Sequence, residues 1–385
     1  MAATGTFKIL VLPGDHVGPE VVREALRVLD VVQACRPGLT FSLTTGIAGG
    51  CSLDRHGVAI TAEVLDQAAC SDAVLFGSVG GPEWATTVPN PESGLLLLRK
   101  RLDAFANLRP CRIIVPALVD ASPLKADVVR GTDFVVVREN CGGAYFGAKV
   151  EEDGVASDLW AYTPGEVERC GRVAAAVARM MGRPGEGAGN EDKAAVVWSA
   201  DKANVLASGR LWRRATTDLF AREFPDIELR HQLADSMAML MVRNPRGFNG
   251  VIHTDNTFGD ILSDISGAIV GTLGTLPSAS LSGIPGGQQR CNGIYEPVHG
   301  SAPDIAGMGI VNPVAQILSL AMLLRYSCLL VDEAAAVEAA VAKVLDDKSQ
   351  GGLAIRTRDM GGTASTSELG SAVCEVLCRL LQEGA

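Results

Sequence analysis

Residues 7–32 read FKILVLPGDHVGPEVVREALRVLDVV, and they predict the beginning of an α/β protein. The first six residues form an apolar run that is typical of a buried strand, and Pro13-Gly14-Asp15 ends it. Apolar residues then recur at helical spacing from Pro19 to Val32, and a proline in the first helical turn costs no hydrogen bond. A strand that leads directly into such a helix is the repeating unit of α/β folds.

The same alternation continues along the chain. Strands are predicted at 72–77, 134–138, 194–199 and 249–254, and helices at 94–106, 164–181, 203–224, 333–345 and 368–381. We expect Asn107-Leu108-Arg109-Pro110 to break the preceding helix, and we expect the polar, glycine-rich residues 182–192 to form a surface loop. Since the chain has 385 residues, the sequence predicts an α/β fold of two domains.

The composition argues against several classes of protein. A net charge of −10, and no basic run longer than Arg99-Lys100-Arg101, argue against a nucleic-acid-binding protein. The apolar runs at 95–98 and 317–324 are too short to span a membrane, and the segment before the first strand is too short for a signal peptide. Ten cysteines without a CxxC motif or a Cys/His zinc spacing indicate reduced thiols. We therefore expect a cytoplasmic protein that contacts no membrane.

Three arginines are candidates for binding an anionic substrate. Arg99 and Arg109 flank the predicted end of a helix, and Arg138 ends a predicted strand. A planar guanidinium binds a carboxylate through two parallel hydrogen bonds, so three converging arginines would suit a dicarboxylate. Their spacing alone equally allows three unrelated surface arginines.

Two aspartates and a lysine could supply a metal site and a base. Asp260 and Asp264 are four residues apart, which places them on one face of a helix. Carboxylate oxygens suit Mg²⁺ or Mn²⁺, although most such pairs are simply a solvated helix face. Lys202 follows a predicted strand, where it could act as a general base or remain an ordinary surface lysine.

Residues 295–307 read YEPVHGSAPDIAG and are too rich in turn formers and apolar residues for a generic linker. A loop of this kind can hold an adenosine, with its aspartate accepting hydrogen bonds from the ribose. The first strand is not followed by a GxGxxG motif, and the chain has no Walker A lysine. Any nucleotide site must therefore be of another kind.

Together these motifs resemble the β-decarboxylating dehydrogenases of the isocitrate/isopropylmalate dehydrogenase family, and its isopropylmalate branch in particular. The resemblance covers residues 8–358 in the family's order. The matching segments are LPGDHVGPEV (12–21), GSVGGPEW (77–84), GLLLLR (94–99), NLRP (107–110), GAYFG (143–147), DKANVL (201–206), NTFGDILSD (256–264) and EPVHGSAPDIAG (296–307).

The resemblance implies two α/β domains that lack a Rossmann fingerprint, with the active site in the cleft between them. The first would comprise 1–104 and 271–385, and the second, 105–270, would carry the interface of a homodimer. Lys202 and Asp235 would reach the site from the partner subunit. The implied catalytic residues are Lys202, as the base, and Tyr145, as the proton donor. The implied carboxylate-binding residues are Arg99, Arg109 and Arg138. The implied metal ligands are Asp235, Asp260 and Asp264.

The resemblance also implies the cofactor and the substrate. Asp304-Ile305 stand where NADP-dependent relatives carry lysine and tyrosine, and a carboxylate there favours NAD because it repels a 2′-phosphate. Glu92, Leu95 and Leu96 would surround an isopropyl group and offer no partner to a third carboxylate. The implied cofactor-binding residues are His299, Gly300, Ser301, Ala302, Asp304, Ile305 and Asn312.

The expected activity is thus NAD-dependent oxidative decarboxylation of 3-isopropylmalate in leucine biosynthesis. One alternative is a paralogue for another 2-substituted malate (aryl- or longer-alkyl-malate, homoisocitrate or tartrate), and a remote one is an inactive nucleotide-binding regulator. The sequence departs from the family's pattern at four places, and those at Thr257 and Ile265 leave room for a paralogue that accepts another malate. The four departures are His16 in place of a glycine, Thr257 in place of an aliphatic residue, Ile265 in place of an acidic one, and Glu139-Asn140-Cys141 in place of a leucine-containing segment.

Overall fold

The predicted strand–helix unit at the beginning of the chain is present. Strand β1 (Gly5–Gly14) turns at Pro13-Gly14-Asp15 into helix α1 (Gly18–Cys35), whose apolar face is buried against the sheet. A computed structural model describes residues 4–182, 195–286 and 290–383. The predicted loop at 182–192 lies outside these residues except for Gly182.

Further strands and helices alternate along the rest of the described chain. The other strands are β2 (Leu39–Thr45), β3 (Ala73–Ser78), β4 (Ala106–Arg112), β5 (Asp133–Glu139), β6 (Lys149–Glu152), β7 (Val155–Asp158), β8 (Ala195–Asp201), β9 (Ile227–Leu233), β10 (Gly250–Thr254), β11 (Pro277–Leu281) and β12 (Gly293–Pro297). The other helices are α2 (Gly50–His56), α3 (Ala62–Ala69), α4 (Pro91–Leu102), α5 (Ala126–Val129), α6 (Pro164–Met181), α7 (Ala207–Glu223), α8 (Ala234–Arg243), α9 (Asn256–Val270), α10 (Val314–Tyr326), α11 (Val331–Leu345) and α12 (Thr366–Glu383).

One ten-stranded sheet runs through the molecule in the order β2-β1-β3-β12-β11-β4-β5-β10-β8-β9. Neighbouring strands are parallel at both ends, whereas the central β12-β11-β4-β5 pairs are antiparallel. The first five strands in this order come from residues 5–78 and 277–297, and the other five come from residues 106–254. β6 and β7 form a separate two-stranded ribbon. The α/β fold class is confirmed.

The predicted break at Asn107–Pro110 is wrong, because these residues belong to β4. β4 pairs with β5 along its whole length, but it pairs with β11 only from Ala106 to Leu108. Pro110 therefore lies where one side of the strand needs no N–H donor, which is where a sheet tolerates proline. Helix α4 correspondingly ends at Leu102, four residues before the predicted end.

Helix α10 occupies the centre of the terminal part of the fold. It is apolar on every side and buried from Val314 to Leu324, with β11 and β12 on one side and α1 and α11 on others. A helix that is apolar all round is expected only in such a position. Among the described residues, no helix combines the length and the apolar character needed to cross a bilayer.

Candidate active site

The three predicted arginines converge where the central strands meet α4 and α9. Arg138 is the penultimate residue of β5, Arg109 lies on the adjacent strand β4, and Arg99 is in the last turn of α4. All three side chains are largely withdrawn from solvent, with 3% of Arg138, 14% of Arg109 and 10% of Arg99 exposed. The alternative of unrelated surface arginines is therefore wrong.

Helix α9 supplies the carboxylates of this cluster. Its N-terminus is capped by Asp255, whose Oδ1 accepts the Phe258 N–H at 2.8 Å. Asp260 and Asp264 lie on one face, as their spacing predicts, and both approach the arginines. Arg138 Nη1 pairs with Asp260 Oδ1, and Arg109 Nη1 donates to Asp264 Oδ1 at 3.2 Å.

Neutral side chains hold the arginines in place. Asn256 Oδ1 accepts from Arg138 Nε at 3.0 Å and from Nη2 at 2.7 Å. Arg109 donates to Asn107 Oδ1 at 3.0 Å and to Ser263 Oγ at 2.8 Å. Two guanidinium groups with this many fixed partners form a preorganised binding surface for an anion.

Burial and the interactions between neighbouring charged groups shift the pKa values of the side chains in this cluster. Burial, together with the neighbouring Arg109, lowers the pKa of Arg138 to about 10, and burial also lowers the pKa of Arg109. Burial alone would raise the pKa of Asp260, but Arg138 and Arg109 outweigh it and hold that pKa below its ordinary value. Asp260 is therefore ionised at neutral pH, as a metal ligand must be.

Arg99 keeps an unused donor. Its Nη2 donates to Glu296 Oε1 on β12 at 3.0 Å, while its buried Nε has no partner. A buried polar atom without a partner is costly unless a ligand or water satisfies it. The same face of α4 presents Glu92, Leu95 and Leu96, because these residues precede Arg99 at helical spacing, and the two leucines are half-buried.

Tyr145 belongs to the same cluster. It follows the turn at Gly142-Gly143, and its hydroxyl donates to Asp260 Oδ2 at 2.9 Å. The guanidinium of Arg138 lies 5.6 Å from the centre of its ring. Burial and the Asp260 charge raise the pKa of Tyr145, so the phenol keeps its proton at neutral pH.

Lys202 and Asp235 pair with each other rather than with the arginine cluster. Lys202 Nζ lies 2.7 Å from Asp235 Oδ1, and 64% of the Asp235 side chain is exposed. Buried Asp201 anchors the lysine turn, since Arg213 Nε and Nη2 each donate to it at 2.9 Å. The described residues of one chain contain no group of three metal-ligating side chains, so Asp235 does not join Asp260 and Asp264 within this chain.

Five of the seven predicted cofactor residues line a cavity of about 720 Å³ at the end of β12. His299, Gly300, Ala302, Ile305 and Asn312 line it. Two further predicted residues do not: Asp304 is exposed beside the cavity, and Ser301 is buried, with its carbonyl accepting the Val17 N–H at 3.1 Å. Burial lowers the pKa of His299, so its imidazole is neutral at pH 7.

Known proteins resemble this chain over almost its whole length. The family model for isocitrate/isopropylmalate dehydrogenase matches residues 8–373. The chain belongs to the isocitrate/isopropylmalate dehydrogenase family. It is 70% identical over 379 residues to a 3-isopropylmalate dehydrogenase of Hapsidospora chrysogena, covering 98% of this chain and 99% of that protein. It is 52% identical to a 3-isopropylmalate dehydrogenase of Sordaria macrospora, again over 98% of this chain and 99% of that protein.

Solved structures give the same assignment for the fold of this family member. An isocitrate dehydrogenase from Methylococcus capsulatus superimposes with a TM-score of 0.79 at 29% identity, covering 96% of this chain and 99% of that chain. A β-decarboxylating dehydrogenase from Thermococcus kodakarensis superimposes with a TM-score of 0.75 at 34% identity, covering 98% and 97%.

The departure at His16 has a physical explanation. His16 has a φ of +52°, in the left-handed region that favours glycine, which is the residue the family pattern has there. Its imidazole Nε2 lies 3.1 Å from Glu83 Oε1, and the ring packs at a tilt against Trp84, with the ring centres 5.7 Å apart. The histidine therefore fits the turn by contacting neighbouring side chains, although its backbone conformation favours glycine.

Sequence reasoning missed the residues that orient others. Asn107, Asn256 and Ser263 position the arginines, and all three lie inside family motifs that gave no hint of this role. Asp359 was missed entirely, although it lines the cavity and accepts from Asn312 Nδ2 at 2.9 Å. No local signal marks Asp359, because 47 residues separate it from Asn312.

Proposed function

We propose that this chain oxidises and decarboxylates 3-isopropylmalate with NAD, releasing 4-methyl-2-oxopentanoate, CO₂ and NADH, in leucine biosynthesis. Family membership and 70% identity to a relative named 3-isopropylmalate dehydrogenase support this activity. The observation that carries the proposal is the cluster of three largely buried arginines beside the face of α4 that carries Leu95 and Leu96. Such a surface recognises a dicarboxylate that also carries an alkyl group.

Charge balance supports a dianionic substrate together with a divalent ion. The cluster contains three guanidinium groups and three carboxylates, so its own charges cancel. A Mg²⁺ or Mn²⁺ ion would leave two positive charges, which a malate-type dianion neutralises. The six charged residues of the cluster are Arg99, Arg109, Arg138, Glu296, Asp260 and Asp264.

We assign the metal to Asp260 and Asp264 of one subunit and Asp235 of the other. Asp264 is well exposed and Asp260 is ionised, so oxygen ligands are available to a hard cation. When bound, such an ion polarises the substrate's hydroxyl and carboxylate oxygens. Arg99, Arg109 and Arg138 orient the two carboxylates of the substrate.

The protein's own residues move the protons. Lys202 would accept the hydroxyl proton of the substrate, directly or through water, and NAD, when bound, would supply the hydride acceptor. Tyr145, protonated at neutral pH, donates a proton to the carbon left after CO₂ departs. The anchoring of the Lys202 turn by Asp201 and Arg213 fits a residue that must be held in a fixed position.

We infer that NAD binds with its adenosine in the cavity at the end of β12. Apolar Ile305 and Leu273 suit the adenine, and exposed Asp304 can accept hydrogen bonds from the ribose. Buried Glu20 supports this loop by accepting the N–H groups of Gly307 and Gly309 at 2.5 Å and 3.2 Å.

A homodimer with shared active sites is part of the proposal. Large apolar side chains are exposed on α8 and α9, and a surface of this kind marks an interface. They are Met239, Val242 and Ile261. Val150 and Val155 on the β6–β7 ribbon are exposed as well. An interface there would bring Lys202 and Asp235 toward the neighbouring subunit's arginines.

We further propose that residues 1–104 with 271–385 form one domain and 105–270 the other, because the sheet order divides between β11 and β4 at these boundaries. We propose a cytoplasmic location as well. All ten cysteines lie in the described part of the chain and none forms a disulfide, which fits a reducing compartment.

The test is a substrate panel with purified protein, following NADH formation with Mg²⁺ or Mn²⁺. The panel contains 3-isopropylmalate, malate, isocitrate, homoisocitrate, tartrate, and benzyl- and longer-alkyl-malates, each with NAD and with NADP. We expect the highest kcat/KM for 3-isopropylmalate with NAD, and loss of activity on chelation. Preference for a bulkier malate would move the substrate assignment while leaving the arginine and metal roles intact. Absence of turnover by a folded protein would refute the proposal.

A further inference from the structure

Two cysteines from opposite ends of the chain are in contact. Cys35 is the last residue of α1, and Cys378 lies in the second half of α12. The two helices pack along each other, and Cys35 Sγ lies 3.8 Å from Cys378 Sγ. Both side chains are half-buried, so small molecules in solution can reach the pair. Neither cysteine belongs to the proposed active site.

We propose that Cys35 and Cys378 form a reversible disulfide in the intact protein, with a low-molecular-weight disulfide such as glutathione disulfide as the oxidant. A disulfide bond is about 2 Å long, so the two sulfurs need to approach by less than 2 Å. Rotation of the half-buried side chains can supply this movement without separating the helices. The proposal goes beyond the proposed enzymatic function and does not depend on it.

The chemistry is two successive exchanges. The thiolate of Cys378 attacks one sulfur of glutathione disulfide, and one glutathione thiolate leaves. The thiolate of Cys35 then attacks Cys378 Sγ in the mixed disulfide and expels the second glutathione thiolate. Two electrons pass from the two cysteines to glutathione disulfide, and the two cysteine protons end on the released glutathione or in water.

The surroundings favour this order of attack. Burial raises the pKa of Cys35, so its thiol stays protonated at neutral pH and points its hydrogen toward Cys378. The side-chain amide of Gln382 donates to Cys378 Sγ at 3.4 Å, which places a donor beside the attacking sulfur. We therefore expect cross-linking to become faster as the pH rises above neutral.

The bond would join two helices that also support the proposed cofactor loop. At the start of α1, Glu20 accepts from the backbone of that loop, and at the start of α12, the Thr366 N–H donates to Gly309 O at 2.8 Å. The cross-linked residues are 343 positions apart, and closing so long a loop restricts the unfolded chain strongly. We expect oxidation to raise the Tm by several degrees.

The experiment incubates the native full-length protein in glutathione buffers of increasing disulfide content and maps its peptides by mass spectrometry without reduction. The expected result is a linked peptide pair containing Cys35 and Cys378 that disappears on reduction. It should be absent from Cys35→Ser and Cys378→Ser but present in Cys374→Ser, which removes the thiol one helical turn away. The rise in Tm should follow the same pattern.

Two results would overturn the proposal. One is glutathionylation of exposed Cys70 while Cys35 and Cys378 remain unlinked at excess glutathione disulfide. The other is a linked peptide that persists in Cys35→Ser, because Cys378 would then have another partner. Thermal unfolding of each reduced variant provides the check on folding, since all three serine variants should match the reduced parent within a few degrees.

Discussion

The hydroxyl of Tyr145 donates a hydrogen bond to Asp260 Oδ2 at 2.9 Å, while Arg138 contacts the other oxygen of the same carboxylate. The proposed proton donor is thus coupled to a proposed metal ligand. Because both oxygens of Asp260 are engaged, a cation that binds Asp260 must share or replace one of these partners. Cation binding and proton donation by Tyr145 are therefore linked through the carboxylate of Asp260.

Replacing Tyr145 with phenylalanine tests this link. The variant loses the proposed proton donor, so we expect kcat to fall about 10²–10⁴-fold, which is the usual contribution of a positioned acid. The KM for the substrate should change little, because the arginines bind the carboxylates. Mn²⁺ affinity, measured by titration calorimetry, should stay equal or increase, since one oxygen of Asp260 is released. A large rise in KM with unchanged kcat would instead assign Tyr145 to substrate binding.

Mixing two inactive variants tests whether active sites are shared. Lys202→Ala and Arg138→Ala should each be inactive alone. In a mixed dimer, one site combines the intact Arg138 of one subunit with the intact Lys202 of the other. Random reassortment of equal amounts gives half mixed dimers with one working site each, so about a quarter of the parent activity should return.

The mixture should be denatured and refolded together, and compared with each variant treated alone. Recovery of activity in the mixture only is the expected outcome. If Lys202 served its own subunit's site, every site would lack either Lys202 or Arg138, and the mixture would remain inactive. Sedimentation of the parent protein provides an independent measure of the dimer.

Asp304 is the proposed basis of a preference for NAD over NADP. We expect Asp304→Asn to lower the ratio of kcat/KM for NAD over NADP by about tenfold, because it removes a carboxylate that repels a 2′-phosphate. Steady-state kinetics with both cofactors measure this ratio. Asp332→Asn, at the exposed beginning of α11, is the control and should leave the ratio unchanged. An unchanged ratio in Asp304→Asn would remove this residue from the cofactor site.

The hydrophobic pattern of the sequence predicted those helices and strands whose formation depends mainly on neighbouring residues. The strand–helix unit ending at Cys35 follows from hydrophobic period alone, and so does the shared face of Asp260 and Asp264 on α9. The segment Asn107–Pro110 could not be read this way. Its proline signals a break locally, whereas pairing with β5 across the sheet makes it a strand.

Contacts between segments that are far apart in the chain could not be predicted from the sequence pattern. The convergence of Arg99, Arg109 and Arg138 was anticipated only through family resemblance, because it depends on strand order. The pairing of Cys35 with Cys378 was not anticipated at all, since two helices far apart in sequence must first pack together. Spacing within one element is visible in a sequence, but distance between elements is not.

Glu139, directly after Arg138, is fully buried and accepts the N–H groups of Cys141 and Gly142 at 2.9 Å and 2.8 Å. Burial raises the pKa of Glu139 to about 7, although these N–H donors and Arg169 at 3.7 Å act in the opposite direction. The folded protein thus binds this proton more tightly than the unfolded chain does. Its contribution to stability is complete below the unfolded pKa and is lost as the pH rises through about 7.

In Glu139→Gln, the side chain at position 139 can no longer titrate. The difference between the free energies of unfolding of parent and variant therefore isolates the contribution of the Glu139 proton. Between pH 5 and 8, we expect the free energy of unfolding of the parent to fall relative to that of the variant by about 2 kcal/mol. Urea unfolding at a series of pH values measures the difference, with Glu228→Gln on the exposed side of β9 as the control. If the Arg169 charge governed Glu139 instead, its folded pKa would be depressed, and the parent would gain stability over the variant as the pH rises. The sign of the slope therefore decides whether burial or the ion pair controls the carboxyl group that holds the Tyr145 loop.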